Sequence, residues 1–286
     1  MKNARQTAQT ATAVFRLPLG DMAWRGLHGQ FASMGTGSSL DFQDHRPYFP
    51  GDDPRHINWQ AYARTGSYTM KLYRQEVSPR VDLFVDISPS MFLVPEKRAR
   101  VLAVVVFCAE SALRLGASLQ VHAAHGSHVE FVPVERLLCA EEEPWQKRLP
   151  GKTAEHGLAL ATAPFRHGSL RVLVSDLLFP GGSDALRPLA AGQGRGVVLV
   201  PWCALEAAPG WAGNHYFEDV ESGNRERRRV TPSLLRRYED AYARHFGTWR
   251  DAARRHGVRF ARVCAEGDFI QMLRQEALPA GAISPG

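Results

Sequence analysis

Up to about residue 79 the apolar positions follow no sustained period; from residue 80 onward they alternate between strand and helix rhythms. VDLFVDI (81–87) is a near-continuous apolar run of strand length, as a central strand buried on both faces requires. Pro95 and Glu96 open a helix that runs to about Leu115 and stops at Gly116. SLQVHAA (118–124) and HVEFVPV (128–134) flank a His-Gly-Ser turn and read as a hairpin. A helix from about Thr153 to Ala163 leads into a second buried strand, LRVLVSD (170–176), and a helix over 183–191 leads into a third, GVVLVPW (196–202). YFEDVESGNRERRRV (216–230) carries a Ser-Gly-Asn turn signal between two extended runs. Residues 232–256 place Leu235, Tyr238, Tyr242, Phe246, Trp249 and Ala253 on one stripe at helical spacing. VRFARVC (258–264) is the last strand and 267–276 a short final helix.

Strands alternating with helices imply an α/β fold with a doubly wound, mainly parallel sheet covered on both faces. Three regions follow: a flexible arm over 1–13, an extension of loops and short strands over 14–79 packed on the main domain rather than having its own core, and the α/β domain over 80–286.

Composition narrows the class. The chain has 286 residues, 44% of them hydrophobic, which are globular values. No stretch approaches the roughly 18 uninterrupted apolar residues of a membrane span, and the polar N-terminus lacks the apolar block of a secretory signal; a cytoplasmic protein is expected. Cys108, Cys139, Cys203 and Cys264 are widely spaced and read as buried free thiols in a reducing compartment. The net charge of +6 is local in origin: residues 225–262 hold twelve arginines against four acidic residues, a balance of +8, so the rest of the chain sums to −2.

Ligands in open α/β sheets bind at the carboxyl ends of strands. Asp86 closes VDLFVD and Asp176 closes RVLVSD, while Ser88 and Ser90 follow the first strand in DISPS and Thr153 opens the helix before the second. Residues two apart in an extended segment point the same way, so the D-x-S-x-S spacing gathers its oxygens on one side. Two carboxylates and three hydroxyls are hard donors, suited to Mg²⁺ or Mn²⁺ and not to Zn²⁺. With two carboxylates against a divalent ion, a coordination position stays open to water or to an incoming carboxylate. Asp, Ser and Thr at such positions also cap helices; it is their combination across two buried strands that favours a metal.

DISPSM, Thr153 and SDLL resemble the metal-ion-dependent adhesion site of von Willebrand factor A domains. In that family the serines and threonine coordinate the ion and the carboxylates act directly or through water, so the resemblance implies Asp86, Ser88, Ser90, Thr153 and Asp176 as ligands. SDLL departs from the Asp-Gly common in the family, which leaves Asp176 the least defined of the five. Upstream, RPYFPGDDPRHINWQAYARTG (46–66) resembles the signature of the bacterial domain-of-unknown-function family 58, through Arg46, Tyr48, Gly51, Asp52, Asp53, Arg55, Trp59 and Arg64. Members join this segment to an A-type domain. They are often encoded beside MoxR-type AAA+ ATPases and are thought to serve as their adaptors. The resemblance therefore implies an adaptor, not an enzyme, whose partners are such an ATPase and a client presenting an acidic side chain. Physically, Gly51 to Pro54 is a turn whose aspartates can pair with the flanking arginines. A structural knot is favoured over a docking surface, because Trp59 and Tyr48 are costly to expose.

Other signals are weaker. A phosphoaspartate hydrolase would use Asp86 as nucleophile but wants a second carboxylate two residues on, where Ser88 stands. GQGRG (192–196) precedes a strand instead of linking a strand to a helix, so it is no phosphate loop. The basic 225–262 segment raises nucleic-acid binding, but a solvated helix face is the commoner explanation, and an acidic patch on a partner ATPase would serve equally well. His122, His125 and His128 straddle a turn and scatter over both faces, so no metal role is expected of them. Glu141 to Glu143 read as a solvated acidic loop.

Overall fold

The computed structural model describes residues 2–19, 40–75, 78–139, 158, 160–179 and 184–286. The chain divides into two compact units, Ala23–Ser78 and a larger one made of Met1–Met22 with Pro79–Gly286.

The larger unit is an α/β structure on a six-stranded sheet. Its strands are β1 (Arg80–Asp86), β2 (Ser118–His125), β3 (His128–Val132), β4 (Leu170–Val174), β5 (Arg195–Trp202) and, after a separate ribbon of β6 (Gly213–Glu218) and β7 (Arg225–Val230), β8 (Arg259–Cys264). Their spatial order is β8-β5-β4-β1-β2-β3. Every neighbour is parallel except β3, which turns back antiparallel on β2 at the edge. From β1 the chain moves outward to β2 and β3, then returns to the opposite side of β1 as β4. The carboxyl ends of β1 and β4 therefore flank the sheet's switch point, where an open crevice is expected.

The central strands are buried on both faces, which is why they read as continuous apolar runs: from Val81 to Ile87 every residue is buried. One face packs against α2 (Pro95–Arg114), which starts at Pro95, carries Glu96 in its first turn and ends before Gly116 at φ +68°. The other is covered by the longest helix, Pro232–Arg255, capped by the Thr231 hydroxyl, which accepts the Leu234 N–H. Its Tyr242, Phe246, Trp249, Ala252 and Ala253 form one cluster with Phe84, Leu173, Val198 and Val200 of the sheet. Arg262 is drawn inward and not outward: its guanidinium lies 4.2 Å from the ring centres of both Trp202 and Phe246. It is therefore no part of the basic surface.

The structure departs from the sequence reading in several places. The arm expected over 1–13 contains a helix, α1 (Lys2–Thr12), with Ala4, Ala8 and Ala11 buried. Phe15–Arg16 then pairs with Ser284–Pro285. The segment 23–78 clusters as its own unit and contains a helix, Trp59–Thr65, as well as the antiparallel pair Leu40–Pro47 and Thr69–Gln75. Asn58 caps that helix through the Ala61 N–H and Gly66 ends it at φ +71°. Of the helix expected over 153–163, residue 158 and residues 160–163 are described; 158 is not helical, and Leu160–Thr162 form a 3-10 turn. The acidic run 141–143 and the Cys139 side chain lie outside the described residues. Cys108, Cys203 and Cys264 are free thiols, the first two buried and the third half-buried.

The glycines of GQGRG serve packing. A Cβ at Gly194 would stand 2.5 Å from Cζ of Arg171, and one at Gly196 would stand 2.8 Å from both Leu189 Cβ and Val258 Cγ2. Only bare backbone allows either approach.

Candidate metal centre

Asp86 is the last residue of β1 and is 1% exposed. Its Oδ1 accepts the Ser88 N–H (2.9 Å), a local turn that the short D-x-S spacing makes possible. Its Oδ2 accepts the hydroxyl of Ser175, just past β4 (2.6 Å). Ser88 leads a 3-10 turn, Pro89–Phe92, which brings the Ser88 and Ser90 hydroxyls 3.1 Å apart. These oxygens open on a cavity of about 40 Å³ that Asp86, Ser88, Ser90 and Asp176 line together with His125 and Glu221. A volume of that size has room for an ion and one or two waters, at roughly 10–15 Å³ each.

Four of the five residues expected from sequence thus meet at the switch point; Thr153 lies outside the described residues. Burial, followed by the nearby charge of Asp176, pushes the Asp86 carboxyl up to about 7, against the pull of its hydrogen bonds from Ser175 and Ser88. A divalent ion would relieve that cost by giving the buried carboxylate a counter-charge.

Asp176 has a different environment. Its Oδ1 accepts the Leu178 N–H (3.1 Å) and its Oδ2 is 2.7 Å from the ammonium of Lys97, a residue with no exposed surface. Lys97 also bonds Glu206, which in turn accepts the Cys203 N–H (3.1 Å). Desolvation acts to lower the Lys97 pKa, but the two carboxylates outweigh it and the net shift is upward. Among the described residues, no group of three or more His, Cys, Asp or Glu side chains stands where it could hold an ion by itself. An ion here would draw on Asp86 and the two serine hydroxyls, with Asp176 Oδ2 already engaged by Lys97 and its Oδ1 by the Leu178 N–H.

The residue after Asp176 also has a physical account. Leu177 adopts φ +54°, a left-handed conformation that glycine takes without strain. Its side chain is fully buried in the core and its carbonyl lies 2.7 Å from His245 Nε2, so packing holds the strained backbone.

Four side chains at or behind the cavity were not singled out by pattern. Lys97 had a signal: it shares a helical stripe with Val101, Val104 and Cys108, all buried, so a cation there needed a partner. Ser175 sits beside Asp176. His125, set aside with its neighbours at the turn, lines the cavity with its side chain 5% exposed. Glu221 gave no signal, being 131 residues from Ser90, whose N–H it accepts (3.2 Å).

In the smaller unit the expected pairings form. Arg46 meets Asp52 through two bonds of 2.7 Å, and Asp52 also accepts the Phe49 N–H (2.9 Å). Arg55 forks onto Asp53, with its closest approach 2.6 Å. Each arginine holds its aspartate down to about 2. Gly51 takes φ +105°, and among the described residues the Arg64 side chain donates to the Gln60 carbonyl (3.4 Å). Tyr62 and Tyr68 stack at 4.5 Å, with Trp59 edge-on to both and Tyr48 tilted on Tyr68. The argument from costly exposure fails for Trp59, which is 58% exposed.

Residues 44–247 match the family model described as "Protein of unknown function DUF58". That span is well over half the chain, and the protein belongs to this family. Among solved structures the chain resembles the conserved hypothetical protein BatB from Bacteroides thetaiotaomicron, at 16% identity over 71% of this chain and 98% of that one, with a TM-score of 0.38. It also resembles an aerotolerance-related membrane protein from Bacteroides fragilis NCTC 9343, at 14% identity over 62% and 100%, with a TM-score of 0.31. No curated protein matches the chain. Among the described residues no helix is long and apolar enough to cross a membrane.

Proposed function

We propose that this protein is a metal-dependent protein-binding adaptor whose larger unit is of von Willebrand factor A type. In this reading Mg²⁺ or Mn²⁺ sits among Asp86, Ser88 and Ser90, with Thr153 and Asp176 completing the shell directly or through water. The observation that carries the reading is the convergence of Asp86, Ser88, Ser90 and Asp176 on one small cavity at the switch point of the sheet. The side chains of these four residues carry oxygen as their only donor atoms, and that donor set fits Mg²⁺ or Mn²⁺. The ion would supply a positive centre for an acidic side chain of a partner. The family to which the chain belongs suggests a MoxR-type AAA+ ATPase as that partner, acting in assembly or maturation of a client protein, with the adaptor itself not an enzyme and located in the cytoplasm.

Metal and partner then bind with positive coupling, because the partner's carboxylate completes the shell. The test is capture of a MoxR-type ATPase by the purified protein with Mg²⁺, with a chelator, and as Asp86→Ala. Capture is expected only in the first case; capture surviving both chelation and Asp86→Ala contradicts the reading. The two alternatives separate in the same preparation. Turnover of a generic phosphate ester, lost in Asp86→Ala, would favour a phosphoaspartate hydrolase. Steeply salt-dependent retention of DNA would favour nucleic-acid binding through 225–262.

A further inference from the structure

The cavity has a wall that the sequence does not assign to it. Glu221 lies in the turn of the β6–β7 ribbon, and the turn is shaped to present it. Asp219 Oδ1 accepts the N–H groups of both Glu221 (2.8 Å) and Ser222 (3.0 Å), while the Gly223 N–H closes on the Asp219 carbonyl (2.7 Å). One Glu221 oxygen accepts the Ser90 N–H (3.2 Å) and the other stands 3.5 Å from His125 Nε2. The carboxylate is largely covered, at 21% side-chain exposure, and lines the same cavity as Asp86, Ser88 and Ser90. A third acidic group has thus been delivered to a pocket that already holds two.

The carrier of this group is a weakly held element. The ribbon is a two-stranded sheet of its own, not joined to the six-stranded sheet. Two strands alone are marginally stable, and all of β7 but Val230 is exposed. Near the turn, Phe217, paired with Glu226, packs on Trp211 at 5.1 Å, and Trp211 also meets Tyr238 at 6.4 Å. The ribbon's tip is held by Glu221. Lifting the tip breaks the contacts of that carboxylate and exposes its half-buried neighbours Val220, Ser222 and Gly223, a local opening that leaves the six-stranded sheet intact.

We propose that Glu221 is a built-in stand-in for the partner's acidic side chain, holding the Ser90 N–H and His125 at the open side of the Asp86 site until an incoming carboxylate displaces it. The inference rests on the metal-dependent reading of that site and adds the regulation of access to it. It also specifies the ligand: a carboxylate carried on an exposed turn, received by the ion together with the Ser90 N–H and His125. Partner affinity is then reduced by the fraction of molecules in which the tip is free; if one in ten is open, removing the plug raises affinity about tenfold.

The experiment uses the full chain, wild type and Glu221→Gln, and two cyclic peptides copying residues 216–225. One has the native sequence and the other has Gln at the position of Glu221. Mn²⁺ is first titrated into both proteins, and the peptides are then titrated into the Mn²⁺-loaded forms. The native peptide is expected to bind Glu221→Gln about tenfold more tightly than wild type, and the Gln peptide to bind neither. Amide exchange across 213–230 should quicken in Glu221→Gln without a fall in melting temperature. If both proteins take up Mn²⁺ but the native peptide binds them equally or not at all, and exchange is unchanged, the stand-in role is overturned and the metal site survives. If neither protein takes up Mn²⁺, the metal reading fails and the inference fails with it.

Discussion

Asp86 is a buried acid whose state depends on what shares its cavity. Burial and Asp176 raise its folded pKa to about 7, against about 3.9 in an unfolded chain. Between those values the folded state holds a proton that the unfolded state releases, so stability of the metal-free protein falls as pH rises through that window. A divalent ion replaces the proton, so its affinity rises over the same window. Urea midpoints at pH 5 and pH 7.5 should therefore differ more without Mn²⁺ than with it. Equal differences would remove Asp86 from the site. Lys97 makes a second prediction at this scale. It is wholly buried between Asp176 and Glu206, and removing one partner of such a group leaves uncompensated charge. Lys97→Met should lose about 3–5 kcal/mol in urea unfolding, and Mn²⁺ should restore part of it by taking over Asp176. The sequence made Asp86 and Asp176 legible because each ends a continuous apolar run. It did not reveal that Lys97 already claims Asp176, since that contact joins a helix to a strand end 79 residues away.

Elements were legible where burial imposed a period. The central strands, α2 and the helix 232–255 could be read because their apolar positions must meet a core. The helix Lys2–Thr12 could not, because the apolar side chains it buries are only alanines, at positions 4, 8 and 11, among polar neighbours. In the smaller unit, the helix between Asn58 and Gly66 was not expected, because its sequence, WQAYART, has no apolar stripe, and none of its residues is buried. The β6–β7 ribbon was expected from its turn, but nothing in a polar turn indicates that Glu221 reaches Ser90. Gly194 shows the opposite case, a residue whose motif-like setting hides a packing role. Arg171 lies against it with Nη1 2.5 Å from the Pro188 carbonyl and cannot easily withdraw. Gly194→Ala should destabilise the protein by about 1–3 kcal/mol through overpacking, measured by urea unfolding, with Mn²⁺ affinity unchanged. A wild-type melting curve for this variant would show that Arg171 is free to move.

At the scale of the molecule, two units divide the family's features. The smaller carries the Arg46–Asp52 and Arg55–Asp53 pairs and the Trp59, Tyr62 and Tyr68 cluster; the larger carries the cavity at the switch point. The basic character belongs to the larger unit, in the exposed strand β7 and the outer face of the helix 232–255. Fold class was legible because alternating buried strands and helices leave few topologies open. The site was legible in part, since the residues that close its open side come from a different element than those that build it. The central claim is that the larger unit binds a divalent ion through Asp86. Calorimetric titration of Mn²⁺ into the chelator-stripped protein, beside Asp86→Ala of confirmed melting temperature, tests it most directly. One saturable site in the wild type, lost in the folded variant, is the result expected. Equal binding by both proteins, or binding by neither, would contradict it.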